Sequence, residues 1–147
     1  MKHNFYKNGF SIVEVMLSAT LLLVVVACLT GSLIYGQQTT QVAGGIARAS
    51  FLAQQGLEAA RNIRDNSFLS NFIDCPTTCY YGLAVAGGSW VFSGTSDVTD
   101  GFVRQIGVLN GSDANRKIVT STVTWQETVQ RAGSVVITTE LTNWRAK

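Results

Sequence analysis

A chain of 147 residues, 46% apolar and 14% charged, has the length of one domain; its formal net charge of +2 falls to zero if Lys2 and Lys7 are lost with a short leader. That balance excludes nucleic-acid binding through a broad basic surface, leaving at most an indirect link to nucleic acid. His3 is the only histidine, so a trimmed chain has no imidazole base for serine or cysteine hydrolysis and lacks most zinc ligand sets. The chain is read as no enzyme, with no catalytic residue, cofactor or metal.

Residues 1–8 are polar and carry two lysines, which the positive-inside rule places on the cytoplasmic side, with the C-terminal part outside. Residues 15–35 follow, roughly 21 positions without a charge, and about 20 apolar residues suffice to cross a bilayer as a helix. Glu14 stands at the edge of this run. A carboxylate there costs about 2–4 kcal/mol on insertion scales, which makes it a functional residue by default and raises the question of its partner. A secretory signal has a shorter apolar core ending at a small-residue cleavage site, whereas this run continues past Ala27 to Tyr35. Val25-Val26-Ala27-Cys28 reads alternatively as a lipoprotein processing box, but Leu29, Leu33 and Ile34 stay apolar where a polar tether is needed. A plain signal anchor with an incidental Glu14 is the remaining alternative.

Gly9-Phe10-Ser11-Ile12-Val13-Glu14, after a basic leader and before an unbroken apolar run, resembles the processing site of type IV pilins and pseudopilins. The resemblance implies cleavage between Gly9 and Phe10 by a prepilin peptidase, N-methylation of Phe10, and an inner-membrane assembly platform that extracts the subunit from lipid. It also implies a polymer of pilin subunits, either a cell-surface filament or a periplasmic pseudopilus. The physics agrees. Cutting after Gly9 creates a positive amine at Phe10, and in a staggered array one chain's Glu14 can pair with the Phe10 amine of a neighbour. An acid that is penalised alone and neutralised when paired selects assembly and sets register.

No proline occurs between Phe10 and Asn66. Ile46, Ala49, Ala53, Leu57, Ala60 and Ile63 recur at threes and fours, which predicts a helix with one apolar face. Arg48, Gln55, Glu58, Asn62 and Asp65 fall on the other, with Glu58–Arg61 and Arg61–Asp65 at helical pair spacings. With the apolar run this is about 55 residues at 1.5 Å each, more than one bilayer needs. Gly31, Gly36, Gly44 and Gly45 each weaken a helix interior by about 1 kcal/mol relative to Ala. A bend or melted turn is expected between Gly36 and Gly45, unless the glycines serve close packing. Many pilins carry proline where this chain has Gly31.

After Asn66 the period shortens to that of strands separated by Gly, Asn, Asp and Ser. Residues 117–125 and 134–143 alternate, with Val119, Val123 and Trp125 on one face of the first and Val135, Ile137 and Leu141 on one face of the second. Residues 126–133 join them as a hairpin. Residues 102–109, 80–85 and 89–93 are the further strands. A small antiparallel sheet packed on the outer half of the helix is the expected α+β fold, and the pilin resemblance implies the same. The closing strands resemble those of the pilus modification protein V and secretion pseudopilin I types. The divisions are residues 1–9, a removed leader; 10–35, the membrane and polymerisation helix; 36–66, the outer amphipathic helix; and 67–147, the sheet domain.

Cys75-Pro76-Thr77-Thr78-Cys79 lies between helix and sheet, on the side where oxidation is permitted. A disulfide is expected there, contributing about 2 kcal/mol in the chain-entropy model; two free thiols or half of a metal site are the alternatives. Asp97-Val98-Thr99-Asp100-Gly101 and the stretch from Asn110 to Asn115 are oxygen-rich enough for calcium, but match no EF-hand spacing, and turn chemistry accounts for both. Trp90, Trp125 and Trp144 are read as packing residues, with surface adhesion as the alternative. The functional expectation is a pilus-like filament subunit or a secretion pseudopilin. From another class, it is a membrane-anchored outer binding module that never polymerises.

Overall fold

The structure, a computed structural model, describes residues 9, 11–72, 77–113, 115–128 and 131–144, with backbone alone at 69, 70 and 128. The elements in chain order are α1 (Ile12–Asn66), α2 (Phe68–Asn71), β1 (Cys79–Ala86), β2 (Ser89–Ser93), β3 (Asp97–Thr99), β4 (Phe102–Asn110), β5 (Arg116–Thr128) and β6 (Arg131–Thr142). The chain divides into two units, Met1–Gln41 and Val42–Lys147. The first consists, among its described residues, of the N-terminal part of α1; the second holds the rest of α1 and the whole sheet.

Within the second unit α1 packs against a six-stranded antiparallel sheet of order β2-β1-β4-β5-β6, with β3 pairing β4. This is the α+β arrangement that the change of hydrophobic period predicts. The helix buries Ala49, Ala53, Gly56, Leu57, Ala59, Ala60 and Ile63, mostly small residues that let its backbone approach the sheet. Strands β4 and β5 answer with Phe102, Ile106, Val108, Val119, Val123 and Trp125. Each fully buried Val, Leu or Ile is worth about 1.5–3 kcal/mol. One cluster gathers Leu57, Ile63, Ile106, Val108, Val119 and Leu141. The other sets Ala49 and Ala53 against Phe102, Val123 and Trp125.

Two-residue turns set the register of two hairpins. Gly87 and Gly88 both have positive φ and join Ala86 to its partner Ser89. Asp100 and Gly101, at φ 49 and 83, do the same between Thr99 and Phe102. Positive φ at both centres is the tight turn whose twist matches the strands it connects.

Several expectations change. The helix is unbroken through Gly36, Gly44 and Gly45, so no turn melts there. Gly45 has the packing use instead: a Cβ would lie 3.0 Å from the Trp125 indole nitrogen. Gly31, Gly36 and Gly44 meet nothing within 4 Å. Ile46, expected on the buried face, is exposed. The β5–β6 connection is tighter than expected, because pairing extends to Thr128↔Arg131 past an irregularity at Gln126/Thr128. Residues 97–99, read as part of a turn, form the short strand β3.

Candidate functional site

The start of α1 carries the predicted site. The Ser11 carbonyl accepts the N–H groups of Glu14 and Val15 at 3.0 and 3.2 Å, closing the first turn and placing Glu14 within it. A carboxylate there is favoured by the partial positive charge of the helix N-terminus. Glu14 is exposed, and the first basic residue of α1 is Arg48. Gly9 is exposed with open space around it. Phe10 lies outside the described residues, and with it the bond expected to be cut and the amine expected to meet Glu14.

The helix from Ile12 to Gln41 is exposed at every position. Ile12, Leu17, Leu23 and Leu33 are each at least 60% exposed, so nothing among the described residues covers the apolar surface. It is the one helix among the described residues that is long and apolar enough to cross a membrane, by length and composition. Five of its hydroxyls are satisfied within the helix: Ser18, Thr30, Thr39 and Thr40 donate to the carbonyls of Glu14, Val26, Tyr35 and Gly36 at 2.8–2.9 Å, and Thr20 to that of Leu17. A hydroxyl bonded to its own helix enters an apolar medium at little cost. Glu14 is the one charged side chain between Ile12 and Gln41, and so the group of this surface that costs most to leave without a partner in an apolar medium. Cys28, the cysteine of the lipoprotein alternative, is an exposed free thiol in mid-helix.

Charge in the second unit is settled locally. Arg48 pairs with Asp100, Arg61 with Glu58, Arg64 with Asp65, Arg104 with Asp97, Arg116 with Asp113 and Glu140, and Arg131 with Glu127. Every described arginine thus holds a carboxylate. The hydrogen bond to Glu140, then the charges of Glu140 and Asp113, raise the Arg116 guanidinium above its ordinary value. These pairings also occupy the oxygen-rich stretches: Asp97, Asp100 and Asp113 face arginines, and Asn110 accepts from Lys117 Nζ at 2.6 Å. Among the described residues no group of three or more His, Cys, Asp or Glu is placed to hold a metal.

Of the expected disulfide, Cys79 opens β1 and is not free, while Cys75 lies outside the described residues. Trp125 is buried and Trp90 packs at the edge of the core. Trp144 is 63% exposed, its indole N–H reaching Asp65 Oδ1 at 3.2 Å.

Sequence reasoning missed the polar centre of the sheet domain. Arg104, only 4% exposed, donates to Asp97 Oδ2 at 2.8 Å, to Asp97 Oδ1 at 3.3 Å, to Gln55 Oε1 at 2.9 Å and to the Leu52 carbonyl at 3.2 Å. Asp97 Oδ1 also accepts the Leu83 N–H at 3.0 Å. The Arg104–Asp97 pair so ties α1, β1, β3 and β4 together. The position of Arg104 in the alternation of β4, in phase with Phe102 and Ile106, was the available signal. Lys117, in phase with Val119, is likewise buried. Compared with known proteins, the chain matches no family model, no curated protein and no solved structure.

Proposed function

We propose that this chain is a type IV pilin-like subunit, made as a single-pass membrane precursor, cut after Gly9, methylated on Phe10 and polymerised through α1 into a filament. The observation that carries the reading is the uncovered apolar surface of Ile12 to Tyr35 with one carboxylate, Glu14, in its first turn. Lipid covers the apolar side chains before assembly but offers the carboxylate no partner. A staggered neighbour offers both, since its helix covers the side chains and its Phe10 amine neutralises Glu14. The Gly9 to Glu14 motif supports the processing step, and the sheet on the outer part of α1 supports a subunit that displays a folded domain along a helical core. A disulfide between Cys75 and Cys79 belongs to the same reading, as a staple at the entry to that sheet.

The test is isolation of sheared surface or periplasmic polymer, with mass spectrometry of its N-terminus. A start at methyl-Phe10 is expected, and Glu14→Gln should abolish the polymer while leaving the membrane-bound subunit. Polymer at undiminished yield from Glu14→Gln would remove the physical basis of the proposal. A chain found only as an anchored monomer, uncut at Gly9, would make it an outer binding module.

A further inference from the structure

Two features of α1 in the second unit have no use within a single chain. Phe51 is 71% exposed, on the side of the helix opposite Ala49, Ala53 and Leu57. Seven positions earlier, and so on the same face, is Gly44, where an added Cβ would meet nothing within 4 Å. Glycine in a helix interior is unfavourable relative to alanine, and no contact among the described residues requires it at this position. Ala47, one turn before Phe51, is also exposed. A bare socket and an unburied ring therefore share one face of one helix.

We infer that Phe51 of one copy seats over Gly44 and Ala47 of a second copy, as a knob-in-socket contact between parallel α1 helices offset by one to two turns. The inference rests on the polymer reading and extends its interface beyond the apolar segment. Lipid is the wrong occupant, because a helix rises about 60 Å from Ile12 to Phe51 and the hydrocarbon core is about 30 Å thick. Charge also favours a second copy. The guanidinium of Arg48 is drawn off this face onto Asp100 and over the Phe102 ring, so the patch is neutral and two copies do not repel. Beyond Phe51 the exposed positions turn polar, at Gln54, Glu58 and Asn62, which ends the apolar contact there. The offset agrees with the other pairing: Phe10 lies four residues before Glu14, and Ala47 four before Phe51. One stagger of about 6 Å serves both.

The experiment uses the full chain in its native membrane. Gly44→Leu fills the socket with a better helix former and meets open space within its own chain, so its thermal transition by tryptophan fluorescence should match or exceed wild type. Its yield of sheared polymer should fall at least tenfold. Phe51→Ala should lose polymer similarly, with Phe51→Leu intermediate. Wild-type polymer yield from either Gly44→Leu or Phe51→Ala overturns the contact and leaves the polymer reading standing. Absence of polymer from the wild type overturns both.

Discussion

Replacing Arg104 by methionine isolates the polar centre of the sheet domain, because methionine keeps the apolar stem and removes the guanidinium. Four hydrogen bonds go, two of them to Asp97, whose side chain is 18% exposed. Removing one partner of a buried pair costs about 3–5 kcal/mol, chiefly because the other charge stays buried. Residual solvent at Asp97 and its bond from the Leu83 N–H place the expected loss near the lower end, at about 3 kcal/mol. For a unit of this size each kcal/mol moves the midpoint by about 4 °C or more, so the transition should fall by at least about 12 °C. Tryptophan fluorescence of the full chain in detergent is the assay, since Trp90, Trp125 and Trp144 all lie in the second unit and the first has none. Adding Asp97→Asn keeps an acceptor for the Leu83 N–H while discharging the orphaned carboxylate. The double variant should therefore be more stable than Arg104→Met alone. A loss below about 1 kcal/mol for Arg104→Met, or strict additivity of the two changes, would refute the argument.

Gly56→Ala should destabilise the second unit despite a helix-propensity gain of about 1 kcal/mol. Its Cβ would lie 2.6 Å from Ser121 Oγ and 2.9 Å from Ile106 Cδ1, and overpacking costs about 1–3 kcal/mol; urea denaturation measures the difference. Ser121→Ala removes a buried hydroxyl without a hydrogen-bond partner and vacates the nearest clash. It should be neutral or stabilising alone and should recover part of the Gly56→Ala loss, read as coupling in a double-mutant cycle. Because every described arginine is paired at home, polymer recovered by shearing should resist dissociation equally at about 0.05 and about 0.5 M salt, checked by sedimentation. Trp144→Phe removes the bond to Asp65 at an exposed site and should cost less than about 1 kcal/mol in the same melts.

Periodicity carries most of the fold into the sequence. A proline-free run with apolar residues at threes and fours gives the outer helix, and alternation at residues 117–125 and 134–143 gives the core pair of strands, whose inward faces are those observed. What periodicity misses is pairing decided across space. Asp97 looks like turn chemistry until Arg104, across the Asp100–Gly101 turn, draws it into β3. Only the phase of Arg104 with Phe102 and Ile106, and of Lys117 with Val119, marks them as inward, and their charge outweighs that signal although a long stem can bury while its head finds an acceptor. Ile46 falls in the apolar helical phase but is left exposed where Trp125 packs on Gly45. Gly56 is silent in sequence, since its value lies in Ser121 and Ile106 opposite. Glu14 is legible because an acid beside an apolar run is conspicuous by composition.

Cys28 gives the uncovered helix a chemical reporter of its own. Maleimides attack the thiolate, and on the polymer reading both lipid and a neighbouring helix keep this thiol un-ionised, whereas a helix left bare in water exposes it. Its labelling rate follows what stands beside the helix, so on the polymer reading the native thiol should stay slow in membrane and in filament and react where the helix is uncovered.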